Sequence, residues 1–61
     1  MIIKASSIEA GTIQDAIAEI NRNDAMMDVA AAYSEQRKIG MGDAIEAIAA
    51  HIIYTDEDFT F

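Results

Sequence analysis

The side chains that could do acid–base or metal chemistry in this sequence are eleven carboxylates and a single histidine, His51. Three of the acids are consecutive, Asp56-Glu57-Asp58, but they lack the alternating acids, glycine and distal glutamate of a calcium loop. Cysteine is absent, and so is a glycine-rich phosphate cradle. The residues therefore predict a protein that is not an enzyme, with no metal and no cofactor, and with His51 at the surface or boundary of a helix.

Size and charge narrow the possible partners. A chain of 61 residues is at most one domain, and its 52% content of hydrophobic residues favours a globular fold over disorder. Its net charge of −7 opposes binding to nucleic acid or to an anionic membrane and favours a basic partner. No apolar run approaches the ~20 residues of a spanning helix, so we expect a soluble, cytoplasmic protein without membrane association.

The middle of the chain has the composition and the periodicity of helices. Proline is absent, glycine occurs three times and alanine recurs throughout. Apolar residues repeat at intervals of three and four. We therefore predict an all-α fold, a small three-helix domain over residues 1–54 in which residues 1–6 are irregular or form a short strand. The helices are expected near residues 8–21, 24–38 and 42–54.

Candidate helix ends set the limits of these segments. Ser6 or Thr12 can begin the first helix, because each precedes an acid by three residues. Asn23 or Asp24 is a candidate N-cap for the second helix. Gly40 is a candidate left-handed residue at which the second helix stops.

Residues 55–61 combine three acids with two phenylalanines. Repulsion between the acids predicts a short, extended and solvated tail. Asp58, Phe59 and Phe61 match the way in which linear peptides place two hydrophobic anchors in a groove while acids steer towards a basic rim. We expect this tail to bind a partner, the alternative being a frayed end without function.

The second predicted helix carries more apolar surface than a tiny domain can cover. Val29-Ala30-Ala31-Ala32-Tyr33 is small and apolar around most of the helix, which indicates a partner protein or a second copy on the spare face. Tyr33 is a candidate anchor for that contact. Met26 and Met27 are candidates for an adaptable binding patch, although methionine also fills gaps in cores.

The segment from Met27 to Ile39 resembles the central helix of the small phage late-transcription coactivators. That helix shows an aliphatic residue, an acid, small apolar residues, an aromatic, a glutamate and then an isoleucine that opens the next turn. Ala44-Ile45 and Ile48 resemble the next helix of the family, and the final four residues resemble its acidic, hydrophobic clamp-binding peptide.

The resemblance implies an adaptor in the bacterial host cell with two protein partners. The helical body would bind the flap of the RNA polymerase beta subunit, and the tail would tether polymerase to the sliding clamp, which raises its effective concentration there. By position, the resemblance assigns Met27, Ala30, Tyr33 and Ile39 to the polymerase contact and Phe59 and Phe61 to the clamp contact.

Two other classes remain open. A small acidic phage-type inhibitor or nucleic-acid mimic would use the charge of −7 to occupy a basic groove of a host protein. A self-associating dimerisation module would bury the alanine-rich face against its own copy. Direct reading of DNA is disfavoured, because the third helix begins with Asp43 and Glu46 where bases and phosphates require donors.

Overall fold

The computed structural model describes all 61 residues and contains three α-helices with a small sheet at the chain ends. The helices are α1 (Ile13–Asn21), α2 (Asp24–Arg37) and α3 (Met41–Thr55). The strands are β1 (Ile2–Ile3) and β2 (Phe59–Thr60), and a single 3-10 turn, Ala5–Ser7, follows β1. The prediction of a small, mostly helical domain with three helices is confirmed, whereas the all-α class omits the sheet.

The first two helices begin at polar caps. Thr12 Oγ1 accepts a hydrogen bond from the Asp15 N–H at 3.2 Å, and Asn23 Oδ1 accepts one from the Met26 N–H at 3.0 Å. These bonds satisfy N–H groups that have no partner inside the helix, so both predicted caps are confirmed. A start at Ser6 is wrong, because the chain leaves the 3-10 turn in an extended conformation that buries Ile8 in the core.

The turn between α2 and α3 differs from the prediction at Gly40. Lys38 holds the left-handed conformation, with φ 58°, whereas Gly40 has φ −69° and precedes α3 as its N-cap. Ser34 fixes this turn, because its carbonyl accepts from the Ile39 N–H at 3.1 Å and its hydroxyl donates to the Ile39 carbonyl. The helix therefore ends at Arg37, three residues before Gly40.

The hydrophobic core is centred on α3, against which both α1 and α2 pack. Ile20 of α1 and Ile48 of α3 are the largest side chains with no exposed surface. Every buried residue is apolar, and no buried polar side-chain atom lacks a hydrogen-bond partner. None of the three helices is long and apolar enough to cross a membrane.

Asp56 to Asp58 are exposed, as predicted, but Phe59 and Thr60 form a strand of the domain, so the prediction of a separate, solvated tail is wrong. β2 pairs antiparallel with β1, with Ile2 opposite Thr60 and Ile3 opposite Phe59. Phe59 is only 7% exposed, and the Asp58 carboxylate stays at the surface, where Oδ1 accepts from the Ala5 N–H at 2.8 Å. Because side chains alternate along a strand, Phe59 enters the core without burying a charge.

Candidate protein-binding surface

The binding residues predicted in the helical body do not share one exposed surface. Ala30 is completely buried in the core, so a partner cannot touch it in the folded domain. Met26 and Met27 are half-buried and pack against the core with part of each side chain exposed. Ile39 is half-buried in the turn between α2 and α3.

Tyr33 packs against the C-terminal strand of its own domain. Its ring meets the rings of Phe59 and Phe61 edge-on, with centroids 5.0 and 5.3 Å apart. The Arg37 guanidinium lies 5.5 Å from the centre of the Tyr33 ring, within the range of a cation–π interaction. Tyr33 and Phe61 therefore act together in holding β2 against α2.

His51 supports the same strand from α3. Its ring meets Phe59 edge-on at 5.5 Å, and its Nε2 atom lies 3.1 Å from the Asp58 carbonyl oxygen, within hydrogen-bond distance. This contact gives the histidine a structural partner. No group of three or more His, Asp or Glu side chains converges in a way that could hold a metal ion.

We expect Tyr33→Ala to lower the free energy of unfolding by about 2 kcal/mol, roughly half the cost of removing a fully buried aromatic ring. Tyr54→Ala is the matched control, because Tyr54 is 77% exposed and its loss should change stability by less than about 0.5 kcal/mol. Urea unfolding followed by circular dichroism measures both. Equal stabilities for the two variants would show that Tyr33 does not hold the C-terminal strand.

The one cavity of the structure is a groove between β1 and the first two turns of α2, with a volume of about 330 Å³. The residues that line it are Ile2, Ile3, Lys4, Ser7, Asn23, Ala25, Met26 and Val29. Five of these eight are hydrophobic, and Ile3 and Val29 connect the groove to the core. We call this feature the β1–α2 groove.

The chemistry of the β1–α2 groove suits an apolar side chain. Its volume is at the lower end of the ~300–1,000 Å³ range of small-ligand sites. Met26 has a flexible thioether chain that can adapt to the shape of an occupant. The polar lining residues are Lys4, Ser7 and Asn23, and Asn23 is already engaged as the cap of α2. These groups do not form a nucleophile–base pair.

Of the predicted binding residues, only Met26 lines the β1–α2 groove. Ile2 and Ile3 were not predicted as binding residues, although they form an apolar pair near the start of the sequence. Asp58, Phe59 and Phe61 do not line the groove, and Phe59 belongs to β2, the other strand of the sheet.

No protein-family model matches this chain, and comparison with curated proteins and with solved structures also finds no match. The function is therefore inferred from the surface of the domain and from the resemblance described above.

Proposed function

We propose that this chain is a protein-binding module without catalytic activity, and that it binds its partner through the β1–α2 groove. The observation that supports this proposal is the concentration of accessible apolar groups there. Three large hydrophobic side chains are exposed on the whole domain, and one of them, Ile2 at 48%, lines the groove, while Met1 at 58% precedes it. Exposed apolar residues that are grouped beside a cavity are typical of interaction sites.

Of the two partners that the resemblance implies, we propose RNA polymerase. The resembling segment starts at Met27, directly after the groove residue Met26. A sliding-clamp contact through Phe59 and Phe61 would require β2 to leave the domain, and Phe59 would then lose its contacts with Tyr33 and His51. We therefore propose an adaptor that binds polymerase through its body, without the clamp contact.

An inhibitor that imitates nucleic acid is the second candidate, and one surface favours it. Asp24, Asp28 and Glu35 are exposed on the side of α2 that faces away from the core. Such a stripe could enter a basic groove of a host protein. Charge-driven binding weakens steeply with salt, whereas binding of an apolar groove depends on salt much less.

The test is equilibrium binding of the labelled chain to purified bacterial RNA polymerase. Ala25→Gln places a larger side chain at the exposed wall of the groove, and we expect it to weaken binding by about tenfold or more. Ala31→Gln is the matched control, because Ala31 is exposed on the same helix outside the groove and its variant should bind within about twofold of the wild type.

Three outcomes of this experiment would contradict parts of the proposal. Failure of the wild-type chain to bind would remove polymerase as the partner. If Ala25→Gln and Ala31→Gln changed the affinity equally, the groove would not be the contact surface. A loss of affinity of about a hundredfold or more between low and high salt would favour the inhibitor.

A further inference from the structure

We propose that the partner enters the β1–α2 groove as a short extended segment that pairs with the free edge of β1, placing an apolar side chain in the groove and basic residues beside α2. This inference rests on the proposed function and identifies the kind of segment that the groove recognises. Addition of a strand to an exposed edge is a general mode of peptide recognition.

The hydrogen bonds at the chain ends show which backbone groups of β1 are free for such pairing. The Met1 nitrogen donates to the Phe61 carbonyl at 2.8 Å, and the Phe61 N–H donates to the Met1 carbonyl at 3.1 Å. Hydrogen-bonded and non-hydrogen-bonded pairs alternate along antiparallel strands. Ile2, opposite Thr60, is therefore a non-hydrogen-bonded residue whose N–H and C=O point away from β2.

The β1–α2 groove follows this same edge. Ile2 and Ile3 both line it, although successive side chains of a strand project to opposite faces of the sheet. Lining by both residues, and by the start of α2, indicates a groove that runs along the strand. No residue of β2 lines it, so it lies on the side of β1 where the free N–H and C=O of Ile2 point.

The size of the groove favours a peptide segment over a second copy of the chain. Eight residues line it, whereas each partner in a stable protein–protein interface contributes ~20–30 residues. The groove borders β1 and the next residue, Lys4, and these three residues correspond to about 10 Å of extended chain. A segment of three to five residues in a partner protein matches these dimensions.

The charge of the protein surface around the groove predicts which residues flank the apolar residue of the bound segment. Asp24 and Asp28 are exposed on the outer side of the first two turns of α2, next to the groove but not in its lining, whose only charged residue is Lys4. The net charge of −7 adds a long-range attraction for cations. Basic residues that extend beyond the groove onto the outer side of α2 would therefore meet the two carboxylates.

The test is a titration of the ¹⁵N-labelled full chain, followed by NMR, with a pool of capped pentapeptides. Each peptide has lysine at both ends, valine at the second and fourth positions, and isoleucine, leucine, phenylalanine or methionine at the centre. We expect saturable shifts of the amide signals of residues 2–4 and 25–29. Shifts confined to other residues, or none at millimolar peptide, would overturn the proposal.

Two changes to the peptide distinguish strand pairing from simple burial of a side chain. N-methylation removes one backbone donor, and adjacent amides of a strand point in opposite directions. Methylation at one of two neighbouring amides should weaken binding by about tenfold, while methylation at the other should leave it within about threefold. Equal effects would overturn strand pairing.

The second change tests the charge preference. Replacing both lysines of the peptide by glutamate should weaken binding several-fold, and tighter binding of that peptide would overturn the predicted charge preference.

Variants of the protein separate this inference from the proposed function. Ala25→Gln should reduce peptide affinity by about tenfold, and Ala31→Gln should not. Polymerase binding that is sensitive to Ala25→Gln, with no peptide binding, would overturn the strand mode and leave the module as proposed. Peptide binding without polymerase binding would support the strand mode and remove polymerase as the partner. Concentration-dependent shifts at residues 2–4 without peptide, with a dimer in sedimentation, would make a second copy the occupant and overturn the proposal.

Discussion

Replacing Phe59 by alanine is expected to leave a large part of the chain unfolded at room temperature. Phe59 is buried beneath Tyr33 and His51, and its backbone pairs with β1. Removing a buried phenylalanine side chain costs ~3–5 kcal/mol. A core in a domain of this size rarely supplies more than ~3–5 kcal/mol, so the loss is comparable to the whole stability. Urea unfolding followed by circular dichroism measures it.

Thr60→Ala is the control for this variant, because Thr60 belongs to the same strand but is exposed. Its stability should stay within about 0.5 kcal/mol of the wild type. If both variants unfolded at the same urea concentration as the wild type, the C-terminal strand would contribute nothing to the stability of the fold. The phenylalanines would then be available to a partner, as the acidic and aromatic sequence of residues 55–61 predicts.

The second large effect is expected at Ile48, which has no exposed surface and lies at the centre of α3. Ile48→Ala should lower the free energy of unfolding by ~2–5 kcal/mol, and Ile48→Val by ~0.5–1.5 kcal/mol. The two variants form a graded pair because they remove different numbers of carbon atoms from the same site. The urea concentration at the midpoint of unfolding measures both losses, provided that the free energy of unfolding depends on urea with the same slope in each variant.

Small and equal losses in the two Ile48 variants would contradict a well-packed core. Such a result would mean that neighbouring side chains collapse into the space, as in a loosely ordered helical state. The groove, which has Ile3 and Val29 from the same core in its lining, would then lack a fixed shape.

The helices could be predicted from the sequence because their signals are local. The caps at Thr12 and Asn23 use an oxygen and an N–H that are three residues apart, and the apolar spacing lies within single turns. The C-terminal strand could not be predicted in the same way, since its partner, β1, lies at the other end of the chain. The acids before Phe59 suggested a solvated tail, but the alternation of exposed and buried residues from Asp58 to Phe61 is that of a strand.

The candidate site could be predicted only at Met26. The groove requires β1 to lie beside α2, and no local pattern places Ile2 next to Val29. Ala30 was expected at a partner surface, yet it follows Met26 by one helical turn on the side that packs against the core. Helical spacing identified the apolar face correctly, but it could not tell a face covered by α3 from one left for a partner.

The central claim is that the C-terminal strand completes the domain, so that the accessible apolar surface is the β1–α2 groove. Native-state amide hydrogen exchange at Phe59 tests this most directly, because the alternation along the sheet places its N–H in a hydrogen bond to Ile3. We predict that the Phe59 amide exchanges slowly, with protection similar to that of the buried residues of α3. Exchange of Phe59 at the rate of an unstructured peptide, while α3 stays protected, would contradict the claim.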